Sequence, residues 1–137
     1  MDVLNMLVTH AVETVEHDAT IRAAAQKMRD RRIGSLVVIR SGREVGIISE
    51  TDLARKAVAD GMNSDQSPVS AIMSAPIISI DKNATPEQAN ELMKDRGIRH
   101  LLVTDGGRMI GIVSVRDLLR YFKVYYDGIG SLRPKPP

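Results

Sequence analysis

Cysteine is missing from the 137 residues, which excludes disulfides, thiolate metal sites and cysteine nucleophiles together. Tryptophan is missing too, and aromatics reach only 3%, too few for a base-stacking nucleic-acid platform. Neither sign of charge dominates. Nineteen Lys and Arg against 17 Asp and Glu leave a formal +2, a weak field for holding a polyanion, so nucleic acid is not an expected partner. Long apolar runs are lacking as well, since none approaches the roughly 18 residues that a membrane span needs. The start, Met1-Asp2-Val3-Leu4-Asn5, carries an acid where a secretory signal has a base. A cytoplasmic protein with no membrane partner is the expectation. Three histidines, scattered at His10, His17 and His100, do not make a metal site, and no metal is expected.

What the chain does have is a repeat. Shifted by 65 residues it aligns on itself without a gap, and 17 of the 37 positions from 19 to 55 are identical. Ala19-Thr20 falls on Ala84-Thr85, Met28 on Met93, Ile33 on Ile98, Leu36 on Leu101 and Val38 on Val103. Gly46-Ile47, Ser49, Asp52-Leu53 and Arg55 fall on Gly111-Ile112, Ser114, Asp117-Leu118 and Arg120. Two such copies suggest pseudo-two-fold packing, because a unit of about 60 residues buries its apolar face poorly alone.

Each copy reads as β-α-β-β-α. Ile77-Ile78-Ser79-Ile80 is a β-branched run that predicts a strand, matched by Val12 to Val15. Thr85-Pro86-Glu87-Gln88 announces a helix: Thr caps, Pro sits where its missing N–H costs nothing, and Gln completes the capping box. Gly97 stops that helix, and strands at 101–104 and 109–113 flank the turn Asp105-Gly106-Gly107. A second helix opens at Ser114, with Leu118, Leu119 and Phe122 assigned to one face. Helices interspersed with strands give an α/β layer fold. The expected division is a first repeat over 1–62, a polar linker over 63–68, a second repeat over 69–126 and a loose, proline-rich tail over 127–137.

Two stretches concentrate the chemistry: Gly46-Ile47-Ile48-Ser49-Glu50-Thr51-Asp52 and Gly111-Ile112-Val113-Ser114-Val115-Arg116-Asp117. In each, a strand ends at Ser, a helix begins, and Asp follows three residues later. One reading is a plain capping box. The other uses the same corner as a ligand site, with helix N–H groups for a phosphate and a carboxylate for ribose hydroxyls. Arg99 is open to a surface ion pair with Asp95 or Asp117 as well as to a phosphate, and His100 to a satisfied, half-buried place as well as to a ligand.

The paired pattern resembles a tandem CBS (cystathionine β-synthase) domain pair, the Bateman module. The carrying residues are Ile33-Gly34-Ser35-Leu36-Val37-Val38, Gly97-Ile98-Arg99-His100-Leu101-Leu102-Val103, and the two Gly-to-Asp stretches. The match spans roughly residues 3 to 125. It implies two pseudo-symmetric repeats packed through their sheets. It also implies a regulatory, non-catalytic role, with AMP, ADP or ATP bound in clefts between the repeats. On the family's pattern Asp52 and Asp117 hold ribose, with Ser49 and Ser114 beside them. Arg116, Arg99 and His100 face phosphate, and Thr51 stands where Arg116 does. Thr14, Ile77 and Ser79 line the adenine pocket, with Ile47 and Ile112 near it. Gly34-Ser35 in place of Arg99-His100, and Thr51 in place of Arg116, predict two unequal sites.

The resemblance therefore points to a stand-alone sensor of energy or cofactor state that acts through an effector protein or its own assembly. A homodimer through Leu53, Ala57, Val58, Leu118, Leu119 and Phe122 is the expected form, although core burial explains the same residues. NAD or S-adenosylmethionine are alternative ligands, and a ligand-independent oligomerisation module is the alternative function. An enzyme is not expected, because neither Ser49 nor Ser114 has a His-Asp arrangement near it and no P-loop lysine is present.

Overall fold

Two strand-helix-strand-strand-helix runs follow one another in the computed structural model, which describes residues 12–130. The first comprises β1 (Thr14–Glu16), α1 (Ile21–Arg31), β2 (Ser35–Arg40), β3 (Arg43–Ser49) and α2 (Glu50–Asp52). The short α2 continues as a π-helical segment, Leu53–Val58. The second comprises β4 (Ser79–Asp81), α3 (Pro86–Arg96), β5 (His100–Asp105), β6 (Arg108–Ser114) and α4 (Val115–Gly130). Residues Val12–Ile77 form one compact unit, and those from Ile78 onward belong to a second.

Each unit holds one three-stranded mixed sheet with the same register. In the first, β1 runs parallel to β2 and β2 antiparallel to β3. In the second, β4 runs parallel to β5 and β5 antiparallel to β6. Even the irregularity repeats: the ladder slips after Val38, opposite Gly46, and after Val103, opposite Gly111. Such a slip inserts an extra residue and bends the strand that leads to the helix corner.

The local chemistry explains the elements. Thr85 Oγ1 accepts from Gln88 N–H at 3.1 Å, and Gln88 Oε1 accepts from Thr85 N–H at 2.8 Å, so the box that opens α3 is complete. Gly97 ends that helix with a left-handed φ of 62°. Arg32 does the same for α1 at φ 55°, a conformation that a residue with a Cβ adopts at a cost. Each unit packs its helices on its own core. Ile21, Met28, Leu36, Val38 and Ile48 build the first, and Met93, Leu101, Val103, Val113 and Leu118 the second.

Two differences from the sequence reading concern placement. Leu118 is buried but its neighbour Leu119 is 63% exposed, because consecutive helical residues point about 100° apart. Of the residues assigned to a dimer face, Ala57 and Leu118 are buried in their own cores, whereas Val58 and Leu119 are exposed. The segment over 63–77 also packs onto the first unit. Ile21 N–H donates to Ser67 O, Val69 N–H to Ala19 O and Ser70 N–H to His17 O, while Val69 and Ile72 enter the first core. By sequence repeat, residues 69–77 go with the second copy; by contact, they go with the first.

Candidate functional site

The two strand-to-helix corners form as the sequence pattern requires. At the first, Asp52 Oδ2 accepts from Ser49 N–H at 3.0 Å and from Ser49 Oγ at 3.1 Å, and Asp52 N–H donates back to Ser49 Oγ at 3.3 Å. At the second, Asp117 Oδ2 accepts from Ser114 N–H at 2.8 Å and Ser114 Oγ at 3.0 Å, and Asp117 N–H donates to Ser114 Oγ at 3.1 Å. The capping reading thus holds at both corners, and both carboxylates sit at the start of a helix, where negative charge is favoured.

The helix starts are also tied sideways. Glu50 N–H donates to Gly34 O at 3.0 Å, and Val115 N–H to Arg99 O at 2.9 Å. Of the first N–H groups at each corner, this scheme leaves those of Thr51 and Arg116 uncommitted. A phosphate approaching either corner therefore meets few open backbone donors, and side-chain cations decide how well it is held.

Arg99, His100 and Arg116 gather at the second corner. His100 lies directly opposite Ser114 in the β5–β6 ladder, and Arg99 is joined to Val115 by the bond just given. Arg116 follows on the same helix turn. Arg99 and Arg116 are exposed, and neither forms an ion pair with Asp95, Asp117 or any other described residue. The first corner has Ser35 opposite Ser49, then Gly34 and Thr51, all uncharged. Within its own unit, then, Asp117 shares its corner with Arg99 and His100, a pairing that spacing along the chain could not fix.

The other predicted residues are distributed between the units. Thr14 begins β1 opposite Val37 and is half-buried, and its carbonyl accepts from Lys27 Nζ at 2.6 Å. Ile47 is buried on β3 between Val37 and Ser74, held to Ser74 by reciprocal backbone bonds of 3.0 and 2.8 Å. Ile77 is half-buried at the end of the first unit, Ser79 is exposed on β4 opposite Leu102, and Ile112 is half-buried on β6, also opposite Leu102.

Two residues enter that the sequence pattern did not single out. Ser74 Oγ reaches Asp52 at 3.2 Å to Oδ1 and 3.4 Å to Oδ2. Lys56 Nζ lies 3.1 Å from Asp52 Oδ1 and donates to Ile72 O at 2.9 Å. The i,i+4 spacing of Asp52 and Lys56 was the available signal for the lysine; nothing local marked Ser74. His17 is half-buried, and its buried Nδ1 has no partner among the described residues. Its ligand atom and those of exposed Glu16 and Asp18 lie within 4.8 Å of one another.

Comparisons with known proteins bear on the chain's family. The family model described as CBS domain matches twice, over residues 3–59 and 69–124. The Methanopyrus kandleri protein MK0525 is 43% identical over 98 residues, 70% of this chain and 50% of that protein, so the chain spans half of that relative's length. The CBS domain-containing protein YhcV of Bacillus subtilis is 34% identical over 110 residues, 80% of this chain and 78% of that protein. Among solved structures, the CBS-domain containing protein ATU1752 from Agrobacterium tumefaciens matches with a TM-score of 0.76 at 32% identity, covering 87% of this chain and 90% of that one. The CBS domain protein PAE2072 from Pyrobaculum aerophilum, complexed with AMP, matches with 0.73 at 27%, covering 88% and 98%. A hexameric CBS-CP12 protein from bloom-forming cyanobacteria matches with 0.77 at 28%, covering 84% and 68%. No helix among the described residues is long and apolar enough to cross a membrane.

Proposed function

We propose that this chain, which belongs to the CBS domain family as a tandem pair, is a regulatory module that binds adenine nucleotides at its two strand-to-helix corners. The observation that carries the reading is the pair of matched corners, each offering a carboxylate, a serine hydroxyl and a helix start within hydrogen-bond reach of one another. That set suits a ribose with a phosphate attached: the carboxylate accepts from the sugar hydroxyls, and the helix start with nearby cations receives the phosphate. A structural relative in complex with AMP supports the same chemistry. Asp52 and Asp117 are the ribose carboxylates of this reading, with Ser49 and Ser114 beside them. Arg99, His100 and Arg116 are its phosphate ligands, and Thr51 takes the place of Arg116 at the first corner. Thr14, Ile47, Ile77, Ser79 and Ile112 face the base. AMP, ADP and ATP are the ligands of choice, NAD and S-adenosylmethionine the alternatives.

Nucleotide occupancy would then be reported through assembly. The exposed side chains of Leu119, Tyr125 and Tyr126 on α4 give a homodimer an apolar surface, and a hexameric relative shows that the fold assembles in other settings. The same face supports the second reading, a module that assembles without a ligand. A thermal-shift panel of AMP, ADP, ATP, NAD and S-adenosylmethionine separates the two. At 100 times its dissociation constant a ligand adds roughly 2.7 kcal/mol, which for a chain of this size raises the melting temperature on the order of 10 °C. A flat response to all five at millimolar concentration refutes nucleotide binding and leaves assembly.

A further inference from the structure

The corners are alike in sequence and unlike in what their carboxylates already hold. Both oxygens of Asp52 are occupied: Oδ2 by Ser49, Oδ1 by Lys56, and Ser74 Oγ reaching across the two. The same lysine ammonium holds Ile72 O, so it bridges the carboxylate to the segment packed beside it. The Asp52 side chain is only 8% exposed and that of Lys56 43%, so a buried carboxylate is held by a partly exposed ammonium. Asp117 uses one oxygen. Its Oδ2 takes both Ser114 bonds, and its Oδ1 accepts no hydrogen bond from a described residue. The difference is written in the sequence, because the position matching Lys56 is Tyr121, a neutral side chain whose ring stacks on Tyr125.

We propose that the Asp117 corner is the one an adenine nucleotide fills first, and that Lys56 sets this order by holding the buried Asp52 carboxylate in an ion pair. The inference rests on the nucleotide reading above and adds to it the order of filling and the residue responsible. A ribose diol placed on Asp52 must displace Lys56 and Ser74, and the Ile72 carbonyl loses its donor unless the ammonium stays within reach. A diol placed on Asp117 finds Oδ1 without a donor among the described residues and Oδ2 already fixed in position by Ser114. The basic residues act in the same direction, since Arg99 and Arg116 lie beside Asp117 and their first-copy counterparts, Gly34 and Thr51, are uncharged. Lys56 is a positioning residue here, acting through Asp52.

The test is calorimetric titration of AMP into the full chain and into three variants: Asp117→Asn, Tyr121→Lys and Lys56→Met. The parent should show one tight event per chain and a second at least tenfold weaker. Asp117→Asn should remove the tight event. Tyr121→Lys, which sets an ammonium four residues after Asp117 as Lys56 follows Asp52, should weaken the tight event at least tenfold. That loss should shrink as salt is raised, which a packing defect would not produce. Lys56→Met should tighten the weak event and move the stoichiometry toward two, with the tight event unchanged. Should Asp117→Asn fail to fold, Tyr121→Lys and Lys56→Met carry the test between them. Two equal events in the parent, or a tight event that survives in both second-corner variants, overturns the order while leaving nucleotide binding intact. No heat from AMP, ADP or ATP with the parent, together with no thermal shift, takes down both.

Discussion

Gly46→Ala should destabilise the first unit, against the usual trend for glycine in extended structure. A Cβ built on Gly46 would lie 2.8 Å from Met73 Sδ and 2.8 Å from Ser74 O, with Met73 Cγ at 3.2 Å. The methionine can rotate away, since its side chain has three soft torsions. The carbonyl cannot move alone. It accepts from Ile47 N–H at 3.0 Å while Ser74 N–H donates to Ile47 O at 2.8 Å, so any displacement strains both bonds. Overpacking of this kind costs about 1–3 kcal/mol. Weakening two backbone bonds adds up to about 1 kcal/mol each. Restricting the unfolded chain returns about 0.4–1 kcal/mol. The net expectation is a loss of ~2–3 kcal/mol, read as a lower urea midpoint at unchanged slope. The double variant Gly46→Ala/Met73→Ala isolates the carbonyl contribution and should recover less than half of the loss. A single variant within ~0.5 kcal/mol of the parent, about the scatter of neutral substitutions, would refute the reasoning. Full recovery in the double variant would place the clash on sulfur alone.

Two further substitutions test how the helices are ended. Thr85→Ala removes one half of the capping box on α3 and should cost about 1 kcal/mol in urea denaturation, with Thr85→Ser recovering most of it. Arg32→Gly relieves the left-handed residue that closes α1, as Gly97 already does for α3, and should stabilise by up to about 1 kcal/mol, seen as a higher midpoint.

Much of this could be read along the chain because its causes are local. The Thr85–Gln88 box, the stop at Gly97 and the turn at Gly106-Gly107 depend on residues a few positions apart, and each stands where the pattern put it, while the 65-residue shift needs only the chain laid on itself. The Ser-to-Asp corners were legible for the same reason. What could not be read depends on distance in sequence. Ser74 meets Asp52 across 22 positions, and Lys56 meets Ile72 across 16. The packing of 63–77 on the first unit comes from Val69 and Ile72 filling a core, and neither residue belongs to a periodic run. Leu119 was misplaced because a pair of adjacent leucines says that one faces inward without saying which. The widened π turn over Leu53–Val58, where Ala59 N–H donates to Ala54 O, has no marker such as proline or glycine within it.

The strip that carries Val69 and Ile72 has a consequence for how the two copies age. Tandem duplication drew one boundary, at the point where the pattern starts over; folding drew another, about nine residues later. A change in the strip is inherited with the second half and felt by the first, so drift in one copy cannot proceed without regard to its neighbour.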